Sequence, residues 1–320
     1  MTADRRQVTS LIIGGGGFVG PYLAAELQAS GNRDIHLTKL SSESVSSPGT
    51  KVHDLDVQDP IAVKRLFDEL QPNEVFHLAA QSSVAVSWDQ PELTIDINVK
   101  GSLHVLESAR ALPDMPQVLL VGSSEEYGTT ARLRPILTED DPARPMNVYA
   151  LTKTFQNTLG HLYATAYRVP AIMVRAFNHI GPGQSPRFVA SDFCRQVALI
   201  EANLQEPVIR VGNLSALRDF SDVRDIVRAY ALLAINGVPG ETYNVGTGHP
   251  LTIKALLDQI LLLTTKSISI EVDDAKYRPV DIPSSQADIS KIQKTCGWYP
   301  HIKLEQTLLD TLNWWRSQVV

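Results

Sequence analysis

Val8-Thr9-Ser10-Leu11-Ile12-Ile13-Gly14-Gly15-Gly16-Gly17-Phe18-Val19-Gly20 is the stretch that decides the fold. Val8 to Ile13 is an apolar run of strand length that ends on glycines, and Pro21 to Ser30 then carries Leu23, Ala24 and Leu27 at helical spacing. Strand, tight turn and helix make a βα unit. Gly14-x-x-Gly17-x-x-Gly20 falls on its turn, where missing side chains let the backbone approach a pyrophosphate held at the positive helix N-terminus. A glycine turn without a ligand is the plain alternative. The strand before it and the helix after it favour a dinucleotide site built from Gly14, Gly17, Phe18, Val19 and Gly20.

Outward from this unit, strand-length apolar runs recur at Ile35 to Leu37, Val75 to Leu78, Val118 to Val121 and Ala171 to Val174. Helical patterns lie between them at Ile61 to Leu70, Leu93 to Leu112 and Thr152 to Tyr167. Such alternation predicts an α/β fold, a Rossmann-like doubly wound parallel sheet with helices on both faces and ligands beyond the carboxyl ends of the strands. Leu78-Ala79-Ala80, Gly122-Ser123-Ser124 and Ala176-Phe177-Asn178 occupy such ends, the first placing Leu78, Ala79 and Ala80 beside the cofactor. After Gly181-Pro182-Gly183 the pattern changes to helices at Phe188 to Asn203, Val223 to Ile235, Leu251 to Leu263 and Leu304 to Trp315, with short strands at Val208 to Val211 and Ile268 to Val272. Residues 1–178 are therefore expected to form the dinucleotide-binding domain, some later segments returning to it. Residues 179–320 are expected to form mainly a smaller C-terminal α/β substrate lobe.

Composition narrows the function. The 320 residues are 43% hydrophobic and 20% charged with a formal net charge of −6, ordinary for a soluble enzyme. No basic block supplies the positive stripe that nucleic acid or an anionic membrane requires, and no run reaches the roughly 18 to 20 apolar residues that span a bilayer. Cys194 and Cys296 are far apart and make no metal-ligand spacing, so no metal site and a reduced, cytoplasmic protein are expected.

Tyr149-Ala-Leu-Thr-Lys153 supplies the chemistry. Four-residue spacing stacks a phenol and an ammonium on one helix face, and a nearby cation favours the phenolate, making Tyr149 a candidate general acid or base. A helix face with a solvated lysine is the plain alternative; the glycine turn and Ser123 argue against it. Ribose recognition is read from Leu37-Thr38-Lys39-Leu40-Ser41-Ser42, which has hydroxyls and the Lys39 cation but no carboxylate for a ribose 2′-hydroxyl. That favours NADP(H), with NAD(H) as the alternative and a surface role for Lys39 in reserve. Asp56-Val57 suits an acceptor for the adenine amino group, or an ordinary helix cap.

Gly14-x-x-Gly17-x-x-Gly20, Gly122-Ser-Ser-Glu-Glu-Tyr-Gly128 and Tyr149-x-x-x-Lys153 together resemble the extended short-chain dehydrogenase/reductases that remodel nucleotide sugars, nearly end to end. Arg175-Ala-Phe-Asn-His-Ile-Gly-Pro-Gly-Gln184 and Arg218-Asp-Phe-Ser-Asp-Val-Arg-Asp225 are similar to the branch of GDP-4-keto-6-deoxy-D-mannose reductases, relatives of the GDP-mannose 4,6-dehydratases. The resemblance implies reduction of the C4 ketone of that GDP-sugar, with GDP-D-rhamnose as the expected product and the C4 epimer, a 6-deoxytalose, as the alternative. Tyr149 would donate the proton, Lys153 would lower its pKa and hold the nicotinamide ribose, and Ser123 would hydrogen-bond the same oxygen. Gln81 and Ser83 would line the sugar pocket, and Asn178, Val189, Arg218 and Arg278 would meet the substrate's nucleotide. For His179 a structural role fixing the Asn178 loop is at least as well motivated as a phosphate contact, and the Trp314-Trp315 pair reads as core packing. A homodimer through Leu93 to Leu112 and Thr152 to Tyr167 is implied as well.

The chain departs from the pattern at Ile13, where the family usually has threonine, a loss that cofactor binding should survive. Glu125 stands where dehydratases of the family keep a glutamate that removes the C5 proton, so a dehydratase or bifunctional enzyme is the second reading, with Glu125 catalytic and substrate-binding only then. Against it, the loop after Leu40 is short and Ile180-Gly-Pro-Gly-Gln184 replaces the dehydratase-like Glu-Ser-Pro-Arg. A catalytically silent dinucleotide-binding sensor is the reading from another class, and neither Tyr149 nor Lys153 is lost as it would require.

Overall fold

The computed structural model describes residues 7–273 and 284–319, so Arg278 lies outside the described residues. The expected opening unit forms as β1 (Val8–Ile13) and α1 (Val19–Ala29). There follow β2 (Arg33–Lys39), β3 (Lys51–Asp54), α2 (Pro60–Leu70), β4 (Glu74–His77), α3 (Val84–Asp89), α4 (Pro91–Ile95), α5 (Gly101–Arg110), β5 (Gln117–Val121), α6 (Thr130–Leu133), α7 (Val148–Tyr167) and β6 (Ala171–Ala176). Beyond them come β7 (Asn178–Ile180), α8 (Val189–Glu201), β8 (Val208–Val211), β9 (Leu217–Arg218), β10 (Phe220–Asp222), α9 (Val223–Asn236), β11 (Thr242–Val245), β12 (Leu251–Thr252), α10 (Ile253–Leu261), β13 (Ser269–Val272), β14 (Ser284–Ser285), α11 (Ser290–Cys296) and α12 (Leu304–Gln318).

Seven strands pair in the order β11-β6-β5-β4-β1-β2-β3, every pair parallel. Because successive strand residues face opposite ways, each strand feeds two cores, which is why the strands read as nearly unbroken apolar runs. Ile12, Leu37, Phe76, Leu119 and Ile172 meet α1 and α9 on one face. Leu11, Ile13, Val75, Val118 and Leu120 meet α2, α5 and α7 on the other. β1 lies between β4 and β2, so strand order reverses there and a crevice opens beyond its carboxyl end.

Helix starts follow their caps. Asp59 accepts from the Ile61 and Ala62 N–H groups at 2.9 and 3.1 Å with Pro60 at the first position of α2, Asn147 accepts from Ala150 N–H at 2.7 Å, and Thr252 accepts from Ala255 N–H at 3.0 Å. Beyond β6 the chain builds small sheets, β7 with β10, β12-β9-β14, and β8 with β13. The expected strands Val208–Val211 and Ser269–Val272 are thus partners, in parallel. A third core joins α8, α10 and α12; Trp315 packs against it and donates to Ser191 Oγ at 2.9 Å, so packing accounts for the tryptophan pair.

The sequence pattern misplaces three elements. The helix expected over 93–112 is α4, a π-helical turn over Asp96–Lys100, and α5. β3 is an edge strand that the apolar pattern does not reveal, its residues mostly exposed. The helix expected from Leu251 begins at Ile253, after the two residues of β12.

Candidate active site

The glycine turn closes on itself and on its neighbours. Gly14 has φ +79°, and a Cβ there would lie 2.6 Å from the Ala79 backbone; one on Gly20 would lie 2.0 Å from the Gly15 carbonyl oxygen. No side chain fits at either position. At Gly17 the nearest atom to such a Cβ is Gly14 O at 3.4 Å, so the surface there is open. A turn crowded behind and open in front is a cradle for a group approaching the backbone, as a dinucleotide pyrophosphate does. The fit is good, and Val19 and Phe18 follow at the helix start. Leu78 and Ala79 both donate backbone N–H to Ile13 O at 2.9 Å, which fixes Leu78-Ala79-Ala80 beside the turn.

The ribose end is more polar than the sequence suggests. The Thr38 hydroxyl is engaged within the protein, accepting from Gly14 N–H at 2.9 Å. Lys39 Nζ lies 2.6 Å from Asp54 Oδ1 on β3, and the Glu43 carboxylate accepts from Leu40 N–H at 3.0 Å within reach of Gly16. The segment read as free of carboxylates therefore has two close by. Asp56 accepts from Gln58 N–H at 2.9 Å, as a turn residue does, and Val57 is buried with its carbonyl against His104 Nδ1.

Across the crevice, Ser123 follows two residues after the end of β5 and α7 presents Tyr149 and Lys153, all three buried. Burial raises the Tyr149 pKa, with Glu125 and Glu126 adding to the rise and a hydrogen bond with the Ser123 side chain opposing it. The expected lowering by Lys153 is not found in this arrangement: only the Ser123 hydrogen bond acts in that direction. Lys153 Nζ donates to Val121 O at 2.7 Å and to Gln156 Oε1 at 3.1 Å, and burial lowers its pKa to about 8. Tyr149 is consequently a neutral phenol facing a hydroxyl, a proton donor in its resting state. Glu125 is half-buried beside them and accepts from the Asn147 side chain at 3.2 Å, which ties it to the N-cap of α7.

Gln81 and Ser83 clasp each other: Ser83 N–H donates to Gln81 Oε1 at 2.6 Å, and Gln81 Nε2 donates to Ser83 O at 3.0 Å. Asn98, which the motif reading missed, holds this loop from the π-helical turn. Its Oδ1 accepts from Gln81 N–H at 2.8 Å, and its Nδ2 donates to Gln81 O at 3.1 Å and to Thr152 Oγ1 on α7 at 2.9 Å. Nothing in the hydrophobic period announces such a residue. Asn178 is exposed on β7, paired with Phe220 in register, and Val189 opens α8. Arg218 is buried on β9, donating to Leu217 O at 2.8 Å. Its neighbour Asp219 accepts from Thr247, Gly248 and Ala287 N–H groups, so that carboxylate anchors loops. His179 is half-buried, stacked on Phe18 with ring centroids 6.1 Å apart and its Nδ1 3.2 Å from Phe177 O. It links the glycine turn to the Asn178 segment, in keeping with a structural role. Among the described residues no helix is long and apolar enough to cross a membrane, and no cluster of three metal-binding side chains occurs.

This geometry has known counterparts. A family model described as GDP-mannose 4,6 dehydratase matches residues 11–311. GDP-6-deoxy-D-mannose reductase of Pseudomonas aeruginosa is 31% identical, over 96% of this chain and 97% of that protein. GDP-mannose 4,6 dehydratase 2 of Arabidopsis thaliana is 30% identical over 95% of this chain and 81% of its own. The solved structure of RMD from Pseudomonas aeruginosa complexed with NADPH superposes with a TM-score of 0.85 at 30% identity, covering 97% of this chain and 99% of that one. The chain belongs to the GDP-mannose 4,6-dehydratase family, nucleotide-sugar enzymes among the NAD(P)-dependent extended short-chain dehydrogenase/reductases.

Proposed function

We propose that this protein reduces the C4 ketone of GDP-4-keto-6-deoxy-D-mannose to the alcohol of a GDP-6-deoxyhexose, GDP-D-rhamnose, with NADPH preferred over NADH. The observation that carries the reading is the neutral, buried Tyr149 facing Ser123, because reduction of a ketone needs a donor that is protonated before hydride arrives. Reduced nicotinamide supplies the hydride for C4. The chain's own residues do the rest: Ser123 and Tyr149 hydrogen-bond the ketone oxygen, Tyr149 gives it a proton, and the Lys153 ammonium stabilises the phenolate left behind. Gly14, Gly17 and Gly20 hold the dinucleotide, Lys39 meets its 2′-phosphate, Asp56 and Val57 border its adenine, and Gln81, Ser83, Asn178, Val189 and Arg218 line the path of the GDP-sugar, with a nucleotide contact for Arg278 resting on the sequence alone. Similarity to the NADPH-bound reductase supports the choice of cofactor.

The second reading is GDP-mannose 4,6-dehydratase activity, alone or combined. Its specific support is Glu125, a carboxylate beside Ser123 that is positioned by Asn147. The deciding assay incubates the protein with GDP-4-keto-6-deoxy-D-mannose and NADPH or NADH, and separately with GDP-mannose and NADP. Loss of nicotinamide absorbance with the ketosugar alone, faster with NADPH, is the expected result, and the C4 proton couplings name the product. Ketosugar formed from GDP-mannose without net NADPH change would make Glu125 a working base. No turnover of either would leave a dinucleotide-binding sensor.

For assembly, we infer a homodimer through α4, α5 and α7. Leu151, Phe155 and Leu162 are exposed along one face of α7, and Leu93, Ile95 and Leu103 are exposed on the neighbouring helices. Light scattering at micromolar concentration is expected to give twice the 35.2 kDa chain mass. Leu151→Glu with Phe155→Glu should give a folded monomer; a wild-type monomer would reject the dimer.

A further inference from the structure

Beneath Ser123 lies a carboxylate that the proposed chemistry does not use. Glu126 is fully buried at the end of the 3-10 turn Ser124–Tyr127. Its Oε1 accepts from Ser123 N–H at 2.9 Å, closing a capping box with the Ser123 side chain, and its Oε2 accepts from Arg175 Nε at 3.1 Å. Oε1 also occupies the space a Gly122 side chain would need, since a Cβ there would lie 2.3 Å from it. Arg175 is in turn fixed from three sides: it stacks over the Tyr127 ring at 4.6 Å, donates to Glu139 O at 3.2 Å, and lies on β6. A buried ion pair of this kind is no guarantee of stability, because desolvation offsets much of its attraction. Its placement is what matters here.

We propose that Glu126 is a positioning residue of this site, fixing Ser123 from behind and supplying the negative charge that faces Lys153. The inference rests on the proposed roles of Ser123 and Lys153. Charged and titratable groups around the pair come from every packed element: Arg175 on β6, Lys153 and Tyr149 on α7, His77 on β4, and Glu125 and Tyr127 on the same turn. His77 is neutral, burial pushing it down to about 3, and Tyr149 is neutral as described. The charged groups on the alkaline side are thus Glu126, Arg175 and Lys153, and the backbone sets the first near the last: Lys153 Nζ donates to Val121 O at 2.7 Å, one residue before the Gly122 whose Cβ position lies 2.3 Å from Glu126 Oε1. Burial pushes Glu126 up to about 7 while Arg175 and the Ser123 N–H pull it down, and Glu126 in turn raises Lys153 against the burial that lowers it. Removing the charge lets the ammonium lose its proton at lower pH.

The test is Glu126→Gln, alone and with Arg175→Met. Glutamine keeps an oxygen for Ser123 N–H but loses the charge and the acceptor for Arg175 Nε, leaving Arg175 buried without its counter-ion. Three quantities are read: the melting temperature, the pH dependence of NADPH affinity by fluorescence, and the pH dependence of kcat. In Glu126→Gln the alkaline limb of both profiles is expected to move down by about one pH unit, the low end of what a neighbouring charge does. The double variant should regain the melting temperature lost by the single one and keep the displaced limb. A merely structural Glu126 would lower the melting temperature of the single variant in the same way but leave both limbs unmoved, and that result would overturn the proposal. The cofactor profile needs no sugar, so a failure of the proposed reductase activity would be seen in wild-type turnover and would leave this test intact.

Discussion

Tyr149→Phe is expected to lower kcat for the proposed ketosugar reduction by about 10²- to 10⁴-fold, the usual contribution of a positioned general acid. At 1.36 kcal/mol per decade this is about 2.7 to 5.4 kcal/mol of barrier, far more than the loss of one buried hydroxyl costs a fold, about 1 kcal/mol. The two quantities are therefore separable. Tyr149 lies at the start of α7, whose N-cap at Asn147 and packing through Leu159 and Tyr163 do not involve the phenol oxygen. The variant should melt near the wild-type temperature and bind NADPH as before, with only the chemical step impaired. Stopped-flow reduction at saturating substrate measures that step directly. Unchanged turnover would show that another group protonates the C4 oxygen.

The second large effect belongs to the glycine turn. Gly20→Ala sets a methyl against the Gly15 backbone at 2.0 Å, and a carbonyl cannot swing aside as a flexible side chain does. Overpacking of this kind costs about 1 to 3 kcal/mol, which is about 5- to 150-fold in an equilibrium constant. Both the melting temperature and NADPH affinity should fall. Gly17→Ala is the contrasting case, since its methyl meets nothing closer than 3.4 Å in the free protein. It should melt normally and still bind NADPH poorly, because the occupied volume is the one assigned to the pyrophosphate in the proposed complex. Equal affinity in Gly17→Ala and wild type, by fluorescence titration, would place the dinucleotide elsewhere.

Much of this was legible in the sequence because the doubly wound sheet repeats a strong signal. Its inner strands are buried on both faces, and its turns carry glycines whose necessity is steric. What escaped is what does not depend on apolar period. β3 has one large aliphatic residue, Val52, and sits at the edge, so no pattern marks it. The π-helical turn at Asp96–Lys100 keeps the helical period of its surroundings while giving Asn98 its three hydrogen bonds. β9, β12 and β14 have two residues each, too short for any alternation. The two carboxylates around this segment come from a neighbouring strand, where Asp54 pairs with Lys39, and a following turn, where Glu43 accepts from Leu40 N–H, a proximity only folding creates. Glu126 had a readable clue in the Ser-x-x-Glu spacing from Ser123. Its burial against Arg175, 49 positions onward, did not.

The order in which the strands assemble bears on how the protein is made. β6 pairs with β5 on one side and with β11 on the other, and β11 arrives only at residues 242–245, after α8 and α9 have been synthesised. Until then a nascent chain carries β6 with one row of backbone amides and carbonyls unpaired, a template for association with other chains. Completion of the sheet by a late strand makes the synthesis of residues 177–245 the interval in which β6 leaves this enzyme most exposed to aggregation.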